Sequence, residues 1–167
     1  MIFNSLADQV ENKNGIYVIA HNYNVVMCDF VINEILERIE SKTVYVVPEF
    51  TDYDETINDS ILIIDMDCVN MTKGSNDYDT RMNYTYKLRD FCMKNRNSII
   101  VKKELRKMFS GNTTTSQVPN TLAYSADFIC SITGNKMYLT KCRFDFNRTI
   151  NLKAYLREKR IDLIFKD

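Results

Sequence analysis

Four short apolar runs in this sequence each give way to polar side chains, the pattern from which strand-end chemistry is built. Residues 15–20 lead into His21-Asn22-Tyr23-Asn24-Val25-Val26-Met27. Residues 44–47 stop at Pro48 and Glu49. Residues 61–64 end in Asp65-Met66-Asp67, and residues 99–101 in Lys102-Lys103-Glu104. Glu49 and Asp65 sit where catalytic acids sit, and open parallel sheets bind ligands at the carboxyl ends of their strands. Polar residues also end strands for mundane reasons, so a structural role for both stands ahead of a catalytic one. Asp65 with Asp67 offers a divalent ion two carboxylates, but no metal site is read from them. His21, the one histidine, is read as a solvated loop residue.

The elements that would position these groups follow from periodicity. The runs at 16–20, 44–47, 61–64 and 99–101 are continuously apolar, as strands buried on both faces are. Asn24 is a candidate cap for a helix carrying Met27, Val31, Ile35 and Ile39, with Cys28, Ile32 and Leu36 alongside. A second helix is expected over 79–95, with Tyr84, Leu88, Phe91 and Cys92 on one face. Two such β-α-β units predict an α/β fold: a mostly parallel sheet flanked by helices. Residues 1–14 read as a short helix or arm. Residues 51–60 read as an acidic loop or short helix, 70–79 as loop, and 110–121 as a polar, mobile loop. Phe128 to Ile132, the Gly134-Asn135 pair and Lys136 to Cys142 give a C-terminal antiparallel hairpin. A strand near 148–152 and a basic helix at 153–160 follow.

The chain has 167 residues, 45% hydrophobic and 26% charged, which fits one globular domain with a real core. Lys+Arg and Asp+Glu both number 22, so no global field draws it to nucleic acid or membrane. No apolar run is long enough to span a bilayer. No basic start or apolar stretch of signal-peptide type is read at the first residues. The five cysteines are at least twelve residues apart, so neither a C-x-x-C pair nor zinc spacing occurs. Reduced, mostly buried thiols and a cytoplasmic setting are expected. Richness in Asn, Ile, Lys and Tyr points to an AT-rich coding genome, a viral one among those it fits.

Over roughly residues 14–152, the order of these pieces resembles the RecA-like core of replicative helicases of the DnaB type, and more widely the RecA/KaiC superfamily. Ala20-His21-Asn22-Tyr23-Asn24-Val25-Val26-Met27 is similar in place to the phosphate loop. The resemblance implies that Glu49 corresponds to the catalytic glutamate, Asp65 to the Walker B aspartate and Glu104 to a polar sensor. It makes 108–121 a DNA-facing loop. Ala123-Tyr124-Ser125-Ala126-Asp127-Phe128 is similar to the family's entry into a strand. Leu139-Thr140-Lys141-Cys142-Arg143-Phe144 resembles the Lys-x-Arg hairpin that reaches a neighbouring subunit's nucleotide. Strand alternation puts Lys141 and Arg143 on one face, and a solvated hairpin face explains them as well. The implied division is an arm at 1–14, a RecA-like domain at 15–152 and a basic helix or tail at 153–167.

The phosphate loop departs from the family where its chemistry is done. Binding phosphates needs glycine for close backbone approach, lysine for the β- and γ-phosphates, and Ser/Thr for Mg²⁺. Those positions read Val25, Val26 and Met27. The expectation is therefore a catalytically degenerate domain, without cofactor, that acts by binding. Its partners would be itself, a helicase or recombinase subunit, and single-stranded DNA through Lys102, Lys103, Arg106 and Lys107. Two other readings stay open. One is a divergent ATPase or helicase in which Lys73 or Lys102 replaces the missing lysine and ATP/Mg²⁺ still binds. The other is a structural or assembly protein, as in a virus.

Overall fold

The computed structural model describes residues 2–22, 24–47, 56–65, 77–105, 107–110, 113–116, 120–142 and 149–165, without the side chains of 77–82, 107–110, 113–116, 120–121 and 161–165. Tyr23, Glu49, Asp67, Lys73, Arg106, Arg143, residues 51–55 of the acidic segment and residues 70–76 lie outside the described residues.

A seven-stranded sheet forms the centre, in the order β2-β3-β4-β1-β7-β8-β9. Its strands are β1 (Ile16–Asn22), β2 (Val44–Val47), β3 (Ile61–Asp65), β4 (Ser98–Glu104), β7 (Phe128–Thr133), β8 (Lys136–Lys141) and β9 (Thr149–Asn151). The first five in spatial order pair in parallel, and the last three form an antiparallel C-terminal edge. Helices α1 (Ile2–Asn12), α2 (Val25–Leu36), α3 (Asp77–Asn95), α4 (Asn120–Ser125) and α5 (Leu152–Phe165) flank it. The expected α/β architecture is thus the observed one.

Period-two alternation divides the core into two layers. On one face Tyr17, Ile19, Ile61, Ile100 and Phe128 pack under α1, α2 and α5. On the other Ile16, Val18, Leu62, Ile64, Ile99 and Val101 pack under α3 and α4. β1 is central because both its faces are apolar and both its edges are taken, by β4 and β7. The first segment is a helix rather than an arm: Ile2, Phe3, Leu6, Ala7 and Val10 fall on one face and are buried. Cys28, Cys92 and Cys130 are buried as free thiols. Burial pushes the Cys92 thiol up to about 12, and that of Cys130 upward as well.

Two expectations are corrected. β2 is not a buried strand. It is the sheet's outer parallel strand, and Val44, Tyr45 and Val46 are exposed, Val46 by 78%. A four-residue apolar run fits an edge as well as a centre, so the pattern could not tell them apart. The polar 110–121 segment is not loop throughout. β5 (Lys107–Ser110) and β6 (Thr113–Ser116) pair antiparallel, Ser110 opposite Thr113, as consecutive β-branched threonines favour.

Candidate functional site

The chain leaves β1 toward α2 on one face of the sheet, whereas the helices after β3 and β4 pack on the other. β1 and β4 are adjacent and their connections diverge; in open parallel sheets such a divergence is where a ligand crevice forms, at the carboxyl ends of the strands. Ala20 and His21 of β1 lie opposite Lys103 and Glu104 of β4, and Asp65 of β3 lies opposite Lys102. The strand ends singled out by the sequence are therefore neighbours, except Glu49, which is outside the described residues.

The segment proposed as a phosphate loop is not a loop. Ala20, His21 and Asn22 belong to β1, Asn24 caps α2, and Val25, Val26 and Met27 form that helix's first turn. Only residues 23 and 24 connect strand and helix. The Asn24 side chain accepts a hydrogen bond from Met27 N at 3.2 Å and donates to Gly134 O at 2.8 Å, pinning the helix start to the β7–β8 turn. Gly134 takes φ +59°, which a glycine tolerates without strain. Met27 turns into the core, while Val25 and Val26 are 47% and 77% exposed. His21 is fully buried, not solvated, and its carbonyl accepts from Leu105 N at 2.8 Å. The strand runs past the end of its apolar run because β4 and β7 supply hydrogen-bond partners on both sides. Asn22 Oδ1 is buried and accepts no hydrogen bond from the described residues.

Lys102 is committed to the fold. Its Nζ lies 2.7 Å from Asp29 Oδ1 on α2. Burial pulls this ammonium down, but the bond to Asp29 and the charge of Asp65 outweigh it and hold it above its usual value. Lys103, Glu104 and Asp65 are half-buried at the strand ends. Lys107 opens β5, opposite Ser116. Lys141 lies far from this crevice. It pairs with Ile129 near the amino end of β7, and its Nζ donates to the carbonyls of Ala123 (3.1 Å) and Tyr124 (3.4 Å), closing the C-terminus of α4. Its ammonium thus serves its own chain. Among the described residues no group of three or more His, Cys, Asp or Glu side chains could hold a metal ion, and no helix is long and apolar enough to cross a membrane.

Two clusters had little sequence signal. Glu34, on α2 between apolar neighbours, is buried and receives Tyr155 Oη at 2.6 Å, Arg38 Nη1 at 3.1 Å and the Lys159 ammonium. Tyr155 also packs against Phe3 with the rings tilted by 60° and their centroids 4.9 Å apart. This network fastens α5 to α1 and α2, and the α5 partners Tyr155 and Lys159 lie more than 120 residues from Glu34 in sequence. At the amino ends, Asp127 Oδ2 accepts from Ile16 N at 3.2 Å and Arg89 Nη1 at 2.7 Å, tying β1, β7 and α3 together. The Asp127 noted at the strand entry thus has a definite physical task.

Compared with models of known protein families the chain matches none, and no curated protein matches its sequence.

Proposed function

We propose that the chain is a RecA-like domain that binds a protein partner at the carboxyl ends of its parallel strands and does not hydrolyse ATP. The observation that carries this reading is the start of α2. A two-residue connection leaves no room for a phosphate-wrapping loop, and the helix presents Val25 and Val26 to solvent where that loop would deliver donors. Exposed valines at a strand-end crevice suit a protein surface better than a triphosphate. Lys102, ion-paired to Asp29, is a poor substitute for the missing lysine, which weighs against the divergent ATPase.

The partner is a second copy of this chain or a related helicase or recombinase subunit, met in the cytoplasm or in that of an infected host. Single-stranded DNA is a secondary ligand, met through Lys103 and Lys107 rather than Lys102. The deciding experiment is size in solution by light scattering, with and without ATP/Mg²⁺ and single-stranded DNA. The expected result is association that Val26→Asp abolishes and ATP leaves unchanged. Mg²⁺-dependent stabilisation by ATP would overturn the reading, as would a monomer that Val26→Asp does not alter and that captures no helicase or recombinase subunit. If Lys103→Glu with Lys107→Glu leaves DNA retention unchanged, the nucleic-acid contact is wrong.

A further inference from the structure

At the opposite end of the sheet, the amino ends of β1 and β7 meet the last turn of α1 and the side of α3 around a cavity of about 210 Å³. Its walls are Tyr17, Phe128 and Met93, and Lys13 and Arg89 border it. The Tyr17 ring is held in place because its hydroxyl, with one proton to share, lies between the carbonyls of Gln9 (2.8 Å) and Lys13 (2.7 Å) at the end of α1. Arg89 is engaged through one nitrogen only: Nη1 reaches Asp127 Oδ2 at 2.7 Å and Ser125 O at 3.2 Å. Among the described residues, Arg89 Nε and Nη2 and Lys13 Nζ have no acceptor. Two cations against the Asp127 carboxylate leave the lining with one net positive charge.

Free guanidinium donors beside aromatic walls complement a carboxylate attached to an apolar body. An apolar cavity of about 150 Å³ is large enough for a benzene ring, so this one has room for a ring and its acid group. We propose that the cavity binds a carboxylate carrying one aromatic ring. Arg89 and Lys13 hold the acid, and Tyr17, Phe128 and Met93 hold the ring. Two sources supply that chemistry, a free aromatic acid and the C-terminus of a peptide ending in phenylalanine. The site is separate from the strand-end crevice and stands whether or not the binding reading there does.

The test is an NMR titration of the full chain with 3-phenylpropionate and with its neutral amide. The acid should saturate with a Kd on the order of 1 mM, and the amide should bind about tenfold more weakly. Lys13→Glu should weaken the acid by about tenfold, while Lys94→Glu, on an exposed turn of α3, should change it by less than about twofold. Absence of saturation, equal binding of acid and amide, or equal effects of the two substitutions would each overturn the proposal. If Lys13→Glu does not fold, the acid–amide pair on the unaltered protein still decides. Acetyl-Gly-Phe with a free C-terminus then assigns the source: tighter binding than phenylpropionate marks a peptide end, weaker binding a free acid.

Discussion

A side chain at residue 15 would begin where the Asp127 carboxylate already lies: a Cβ on Gly15 would sit 2.2 Å from Asp127 Oδ2. The carboxylate needs that position to reach both Ile16 N and Arg89, so Gly15 is set by close approach rather than by backbone freedom. Gly15→Ala should push Asp127 aside and lose about 1–3 kcal/mol of stability. Urea denaturation of Gly15→Ala, Asp127→Asn and the double variant checks this. Once Asp127 has lost its charge, the glycine substitution should cost less than it does alone, and strict additivity would refute the coupling.

Glu34 makes the attachment of α5 sensitive to acid. Burial pushes its carboxyl up, but hydrogen bonds from Lys159, Tyr155 and Arg38 outweigh that and hold it below its ordinary 4.5. A depressed carboxyl contributes stability that is present above its unfolded value and lost as pH falls through the folded one. Stability should therefore drop below about pH 4.5 more steeply in the unaltered protein than in Glu34→Gln. At neutral pH, Glu34→Gln should cost about 1.5–3 kcal/mol. Identical acid profiles for the two proteins would refute the assignment.

On the proposed reading, the start of α2 keeps nucleotide out by more than the identity of three side chains. Restoring them together, as Val25→Gly, Val26→Lys and Met27→Thr, should not create Mg²⁺-dependent ATP binding, because the connection remains two residues long. Thermal melts of the triple variant with millimolar ATP/Mg²⁺ should match those without nucleotide. A rise in melting temperature would show that the side chains alone were limiting.

Asn24 does two tasks that substitutions can separate. Asn24→Ala should cost about 1–2 kcal/mol through the lost cap. Asn24→Asp keeps the oxygen that caps Met27 N but loses the amide that reaches Gly134 O, so it should cost less. Equal losses for both substitutions in chemical denaturation would place the stabilisation in the turn contact instead.

What could be read in advance was whatever depends on local pattern. The runs at β1, β3 and β4, the cap at Asn24 and the hairpin around Gly134 declare themselves through periodicity and turn chemistry. Burial of β2 did not, because only the neighbours of a strand decide whether it is central, and those neighbours are set by topology. The β5–β6 pairing has little signal although Gly111-Asn112 is the same dipeptide as Gly134-Asn135, because the polar run from Ser110 to Thr121 carries no apolar alternation. The burial of His21 has no signal in the sequence because hydropathy falls off before pairing does. The strand-end crevice followed from the order of apolar runs. The Glu34 network, the role of Lys141 and the Gly15–Asp127 fit depend on contacts distant in sequence, which no window of residues contains.

The outer position of β2 has a practical outcome at the bench. Val44-Tyr45-Val46-Val47 is an uncharged, β-branched and aromatic stretch whose first three side chains are exposed, the kind of strand that recruits another alongside it. Storage life in concentrated solution will be governed by this strip rather than by the melting of the core. A sample that still gives a sharp thermal transition can therefore already be clouding.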